Sequence, residues 1–209
     1  MLWMAIDSSA GTSVALLRTE DERSAGAEVL ALAEDRNPRA HAEAVGPLLR
    51  AVLAQAAVPA SAVDAVAVGV GPGPFTGLRV GIAAAIAFAL PGHLPLWGVP
   101  SHDAVAAQSV ARGSELPLTV CRDARRHEWF LTEYGSLDEA GMPQSLDLAR
   151  VVPQTDPLPE NVCQEPPKAE WVGRVAAARS AAGLAPRGVE PIYVRSPDIS
   201  RAVPKSVLQ

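Results

Sequence analysis

Thirteen residues, Gly69-Val70-Gly71-Pro72-Gly73-Pro74-Phe75-Thr76-Gly77-Leu78-Arg79-Val80-Gly81, constrain this chain most, because five glycines fall where an apolar strand gives way to a helix. Such a density needs a physical cause. One is anion binding, since a glycine loop before a helix start offers backbone N–H groups and the positive end of the helix dipole to a phosphate. The stretch fits neither GxxxxGK[ST] nor GxGxxG, and Pro72 and Pro74 each remove a donor, which counts against a phosphate cradle. The other cause is close packing. Gly77, Gly81, Ala85 and Ala89 recur every four residues, so they form a smooth ridge on which another helix can settle, within the chain or from another.

Around this stretch the pattern is that of an α/β chain. Apolar segments near Leu2–Ile6, Val14–Leu17 and Val29–Ala33 predict three sequential strands, a meander. From Arg39 to Ala57 the residues Ala42, Val45, Leu48, Leu49, Val52, Leu53 and Ala56 keep helical spacing, and Pro59 stops the run. A buried strand at Ala65–Val70, a helix from Phe75 to Leu90 and a strand at Leu96–Val99 follow. Ser101 then offers an N-cap for a helix to about Arg112.

The second half echoes the first. Leu118–Asp123 and His127–Tyr134 predict two strands. In both halves an apolar strand ends in Asp, with an apolar strand residue seven positions on, Asp7 to Val14 and Asp123 to Phe130. This predicts two copies of one unit, mixed sheets covered by helices, with ligands in the cleft between them. Pro153, Pro157, Pro159, Pro166 and Pro167 assign residues 151–167 to a loop or irregular edge. Trp171–Gly173 reads as a strand, Val175–Ala182 as a short helix, Pro191–Arg195 as extended and residues 196–209 as a tail. The units divide as 1–100, 101–195 and the tail.

Composition excludes several classes. Eighteen basic against 23 acidic residues among 209 give a net charge of −5, so no global positive field draws in nucleic acid. The apolar run Val80–Leu90 has 11 residues, short of the roughly 20 that a membrane-crossing helix needs. The amino terminus reads directly as a strand rather than as a basic leader with an apolar core, which predicts a cytoplasmic protein. Cys121 and Cys163 form no CxxC pair and no zinc spacing, so two buried thiols are expected.

Among residues able to do chemistry, His41 opens a helix on which a second histidine four residues on would complete a metal-binding face, but Val45 stands there. No metal site is expected, and His41 reads either as a polar residue near a helix start or as a subunit-interface contact. Asp7-Ser8-Ser9 and Asp123-Ala124-Arg125 each follow a strand, where a carboxylate can hold hydrated magnesium and hydroxyls can meet phosphate. Solvated turn residues account for them equally well. No Ser-His-Asp or Cys-His set assembles from spacing, so no catalytic residue is assigned.

Taken together, Ala5-Ile6-Asp7-Ser8-Ser9, His41, the Gly71–Gly81 stretch, Asp123-Ala124-Arg125 and Glu190-Pro191-Ile192-Tyr193-Val194-Arg195 resemble the TsaB family, also called YeaZ. The GPG-x-FTG-x-R core, Gly71 to Arg79, is the specific part of the resemblance. It implies an actin-like ATPase (ASKHA) fold with two ribonuclease-H-like lobes. It also implies a subunit of the bacterial machinery that makes N6-threonylcarbamoyladenosine (t6A) in tRNA. Such a subunit pairs with the catalytic TsaD through its first two helices, is joined by the ATPase TsaE, and reaches tRNA only through the complex. His41, Val45, Leu48, Leu49, Phe75, Thr76, Gly77, Arg79, Gly81 and Ala85 are then the partner-binding residues. Asp7, Ser8, Ser9, Asp123 and Arg125 become a vestigial nucleotide site, with ATP or ADP and magnesium at the subunit boundary and no tightly bound cofactor. For the isolated chain both a homodimer through the same helices and a monomer are compatible with the resemblance. Family members commonly carry Ser where Pro74 stands, and residues 136–168 align poorly. The competing reading is an ATP-dependent phosphotransferase or ATPase of the same fold, with Asp7, Ser8, Asp123 and Arg125 around the nucleotide; a metallopeptidase fails on ligands.

Overall fold

The computed structural model describes residues 1–20, 26–37 and 40–195. β1 (Leu2–Asp7), β2 (Thr12–Thr19) and β3 (Ala27–Asp35) form the meander that the apolar segments predict, and β4 (Ala65–Gly69) and β5 (Leu96–Val99) complete a sheet of order β3-β2-β1-β4-β5. β1 runs antiparallel to β2 but parallel to β4, so β1 sits at the centre with both edges paired. Its burial on both faces explains why Trp3-Met4-Ala5-Ile6 is continuously apolar. α1 (His41–Gln55) and α2 (Phe75–Ala89) cover one face through Met4, Ile6, Val66, Val68, Leu78 and Ile82.

The second sheet joins β6 (Leu118–Asp123), β7 (Glu128–Leu137), β8 (Pro143–Ser145), β9 (Arg150–Pro153) and β10 (Val162–Cys163). β6 is antiparallel to β7, which pairs with both β8 and β9, and β10 lies parallel to β6. The arrangement repeats β4, β1, β2 and β3 of the first sheet, which makes the echo between the halves structural. Asp7 faces Ser13 and Asp123 faces Trp129, the same six-residue offset across each hairpin. In each turn the Asp carboxylate accepts the backbone N–H two residues on, from Ser9 and from Arg125, both at 2.9 Å. The proline-rich stretch holds only the short β9 and β10 at the sheet margin.

Two expectations change, the strand at 171–173 and the cap at Ser101. Residues 171–173 form no strand; one helix, α4, spans Ala169–Ala181. It lies on the first sheet, where Ala169, Val172, Val175, Ala176 and Ala177 pack with Trp3, Ala5, Ala15 and Leu17. A division at residue 100 therefore separates the sheets but not the cores. Ser101 is the first residue of α3 (Ser101–Ala111) rather than its cap, and its hydroxyl is engaged elsewhere. Residues 191–195 join no sheet, although Ile192 N–H donates to Val70 O at 2.7 Å. The expected tail lies outside the described residues.

Gly173 explains the false strand signal. A Cβ there would stand 2.5 Å from Leu17 Cδ1 and 3.1 Å from Ala5 Cβ, so glycine lets an alanine-rich helix lie flat on β1 and β2. Gly173→Val is expected to destabilise the protein by about 1–3 kcal/mol through overpacking, read as a lowered urea midpoint with an unchanged slope.

Candidate functional site

The glycine stretch and the Asp7-Ser8-Ser9 turn fit together. A Cβ on Gly69 would collide with Asp7 Oδ2. One on Gly73 would meet Ser9 Cβ at 2.8 Å, and one on Gly77 would meet Ser8 O at 2.7 Å. One on Gly81 would collide with Ser8 Oγ. The ridge expected to receive another helix mainly receives this chain's own turn, with His41 closing over Gly77 from α1. Gly71 has φ +97°, a conformation that favours glycine, and its carbonyl accepts Ser101 N–H at 2.7 Å.

Hydrogen bonds fix the turn in place. Asp7 is 2% exposed, its Oδ1 accepts Ser9 N–H and Ser9 Oγ–H, and its Oδ2 accepts Ser101 Oγ–H at 2.6 Å. Gly71 N–H donates to the same Ser101 oxygen, and Ser8 Oγ–H donates to Gly77 O at 2.8 Å. Burial pushes the Asp7 carboxyl above its ordinary value; the Ser101 and Ser9 donors and the Arg122 charge pull it only partly back. Nearby His102 is driven down to about 3 by burial and Arg122, so its ring is neutral, with Nδ1 against Thr132 Oγ1 at 2.8 Å.

A cleft of about 190 Å³ opens between the lobes, lined on one side by Ser9, Gly11, Arg36 and Gly73 and on the other by Arg122, Asp123 and Arg125. Ser9, Asp123 and Arg125 line this one cleft. Asp7 and Ser8 do not join them as ligands, because their polar atoms are buried and engaged within the chain. A magnesium–nucleotide complex held through Asp7 does not fit this geometry.

The expected partner residues also divide. His41 and Val45 are buried, and His41 Nδ1 lies 3.0 Å from Thr12 Oγ1. Gly77, Gly81 and Ala85 are buried, Gly77 against Ser8 and His41 and Gly81 against Ser8 and Ile6, so they stand off the exposed surface. Leu48 and Leu49 are half-buried, while Phe75, Thr76 and Arg79 are exposed. Phe75 stacks on Tyr193 with ring centroids 5.0 Å apart, and Arg79 lies over the Phe75 ring while its Nε–H donates to Tyr193 Oη. The segment after α4 is thereby fastened to the start of α2. Sequence reasoning missed the outer stripe of α2, where Ala83, Ile86 and Ala87 are exposed, with Leu90 exposed just past its end. Its spacing was present, but the small-residue ridge on the opposite face drew the assignment.

Comparison with known proteins supplies the lineage. The family model of TsaD, tRNA N6-adenosine threonylcarbamoyltransferase, matches residues 35–187. An uncharacterised protein of Mycobacterium tuberculosis is 39% identical over 170 residues, covering 77% of each chain. The tRNA threonylcarbamoyladenosine biosynthesis protein TsaB of Escherichia coli is 32% identical over 105 residues, 50% of this chain and 45% of that one. The structure of YeaZ from Pseudomonas aeruginosa superposes with a TM-score of 0.74 at 25% identity, covering 92% of this chain and 99% of that one.

Ser101→Ala tests the buried network. It removes the donor to Asp7 Oδ2 and the acceptor of Gly71 N–H, and is expected to cost about 2–3 kcal/mol near neutral pH. A carboxyl whose folded pKa is raised gives its full contribution below the ordinary 3.8 and loses it as pH rises through the folded value. Losing Ser101 raises that value further. The penalty, read from urea unfolding, is therefore expected to shrink as pH falls towards the ordinary carboxylate range.

Proposed function

Because this chain belongs to the TsaD-like family and is of the TsaB type within it, we propose that it is a non-catalytic partner subunit in t6A synthesis. In this reading it pairs with TsaD and holds it in a shape competent for threonylcarbamoyl transfer to N6 of the adenosine 3′ of the anticodon. TsaE joins the pair, and tRNA is met through the complex, in the cytoplasm. The single observation that carries the reading is the disposition of the family's own motif. Its glycines and the Asp7 turn are packed into each other, which removes the buried carboxylate from chemistry and leaves the outer face of α2 for a partner.

That face has the character of an interface. Ile86 is 43% and Leu90 67% exposed, with Ala87 between them, Ala83 one turn before Ile86 and the half-buried Leu48 and Leu49 on the neighbouring α1. An exposed apolar stripe seeks cover, so the chain alone is expected to close it by pairing with a second copy. Phe75 and Arg79, braced by Tyr193, stand at one end of the stripe as aromatic and guanidinium anchors. The face that binds TsaD and the face that self-associates are then the same, and the two assemblies compete.

Ile86→Glu places a charge in the middle of this stripe without touching the core. The variant is expected to keep its circular dichroism and melting temperature while its affinity for TsaD falls by about tenfold or more. Threonylcarbamoylation of tRNA reconstituted with the variant should fall in step at limiting concentration. Unchanged affinity in a folded variant would remove α2 from the interface.

A further inference from the structure

Arg79 is the one charged residue of α2, and it stands near the end of the helix at which a cation gains nothing from the helix dipole. α2 holds no Asp or Glu with which it could pair along the helix. With Ala83, Ile86 and Leu90 it keeps the spacing i, i+4, i+7 and i+11, so the exposed guanidinium opens the same apolar stripe that those residues continue. Aromatic groups hold it there. Its Cζ lies 3.7 Å from the centre of the Phe75 ring, and its Nε–H donates to Tyr193 Oη at 2.9 Å. Both Nη groups are left without an acceptor among the described residues, and Arg79 enters no ion pair there.

This sets a condition on whatever covers the stripe. Ile86 and Leu90 gain from losing water, whereas a guanidinium that loses water unpaired costs free energy on the scale those side chains return. A covering face must therefore bring an acceptor to Nη1 and Nη2, and a planar carboxylate matches that fork. A second copy of the chain brings α2 again, with no carboxylate on it, and α1 adds only Glu43, in its first turn. Glu43 is at the Arg79 end of the face, because His41 of the same turn closes over Gly77. A two-fold pair that matches the stripes along their length sets each Arg79 against the opposite end, around Leu90, where neither helix offers a carboxylate.

We propose that Arg79 determines the specificity of this face: TsaD supplies an Asp or Glu carboxylate to the Nη fork, and a second copy of this chain does not. One charge then disfavours the homodimer and favours the heterodimer on a shared surface. The Phe75 ring and Tyr193 Oη hold the fork in place, which lowers the ordering cost of meeting a carboxylate. An apolar stripe continuing from Arg79, with no second basic residue on α2, favours a protein carboxylate over an RNA phosphate. The inference rests on the reading that this face meets TsaD.

The test measures two equilibria of the full chain, self-association by analytical ultracentrifugation and affinity for TsaD by calorimetry corrected for any homodimer. Arg79→Met, at an exposed position, keeps an unbranched apolar stem and removes the charge. It is expected to tighten self-association by about tenfold and to weaken binding to TsaD by about tenfold or more, with an unchanged melting temperature. Arg79→Lys keeps the charge without the fork, and is expected to weaken binding to TsaD while leaving self-association as in the wild type. A wild-type chain that does not bind TsaD would overturn the reading of the face, and this inference with it. A wild-type chain that binds, beside an Arg79→Met protein whose affinity for TsaD is unchanged or whose self-association is unchanged or weaker, would overturn the inference alone. So would an Arg79→Met protein that pairs normally with TsaD while the assembly loses tRNA, which would assign the guanidinium to a phosphate.

Discussion

The fold turns on one steric fit: the Asp7-Ser8-Ser9 turn lies in a row of glycines. Gly69, Gly73, Gly77 and Gly81 leave out the Cβ atoms that would otherwise strike Asp7, Ser9 and Ser8. Without that fit α2 could not approach the end of β1, and Asp7 could not reach Ser101 at the start of α3. The fit joins the central strand, the most apolar helix and the first element of the second lobe at one buried point. A carboxylate closed off in this way costs free energy that its three hydrogen bonds only partly offset. Its place in the structure is therefore that of an organiser.

The two halves show how a duplicated unit divides its roles. Asp7 and Asp123 close equivalent hairpins with the same backbone hydrogen bond, yet the first is buried and the second exposed. The second sheet keeps the strand arrangement, but α4, which follows it in the chain, covers the first sheet instead. The buried Arg179, paired with Asp103 and Asp138, then ties α4 to α3 and to the β7–β8 turn. Between the halves the chain after α4 returns to fasten Tyr193 on Phe75, and Arg195 pairs with Glu128 in the second lobe.

Much of this was legible in the residues. The meander, both long helices and the duplicated Asp-ended strands follow from apolar periodicity and turn chemistry, because each signal is local. What was not legible depends on contacts across the chain. Trp171-Val172-Gly173 reads as a strand until Leu17 and Ala5 require a glycine in a helix. The Gly77–Gly81–Ala85 ridge is equally smooth whether another protein or the chain's own turn rests on it, and only the structure shows Ser8 there. Ser101 has the composition of a cap, yet a carboxylate 94 positions away claims its hydroxyl. The Arg179 network gave no local signal, since its partners come from three separate elements.

The central claim is that this chain contributes a surface and not a reacting group. It is tested most directly by the single-turnover rate of threonylcarbamoyl transfer to tRNA in a reconstituted assembly with TsaD. The rate is to be measured with saturating wild-type chain and with a chain carrying Arg122→Gln, Asp123→Asn and Arg125→Gln together. The account predicts equal rates at saturation, because the cleft does no chemistry. A transfer rate that collapses while the assembly stays intact would place a reacting group in this chain and contradict it.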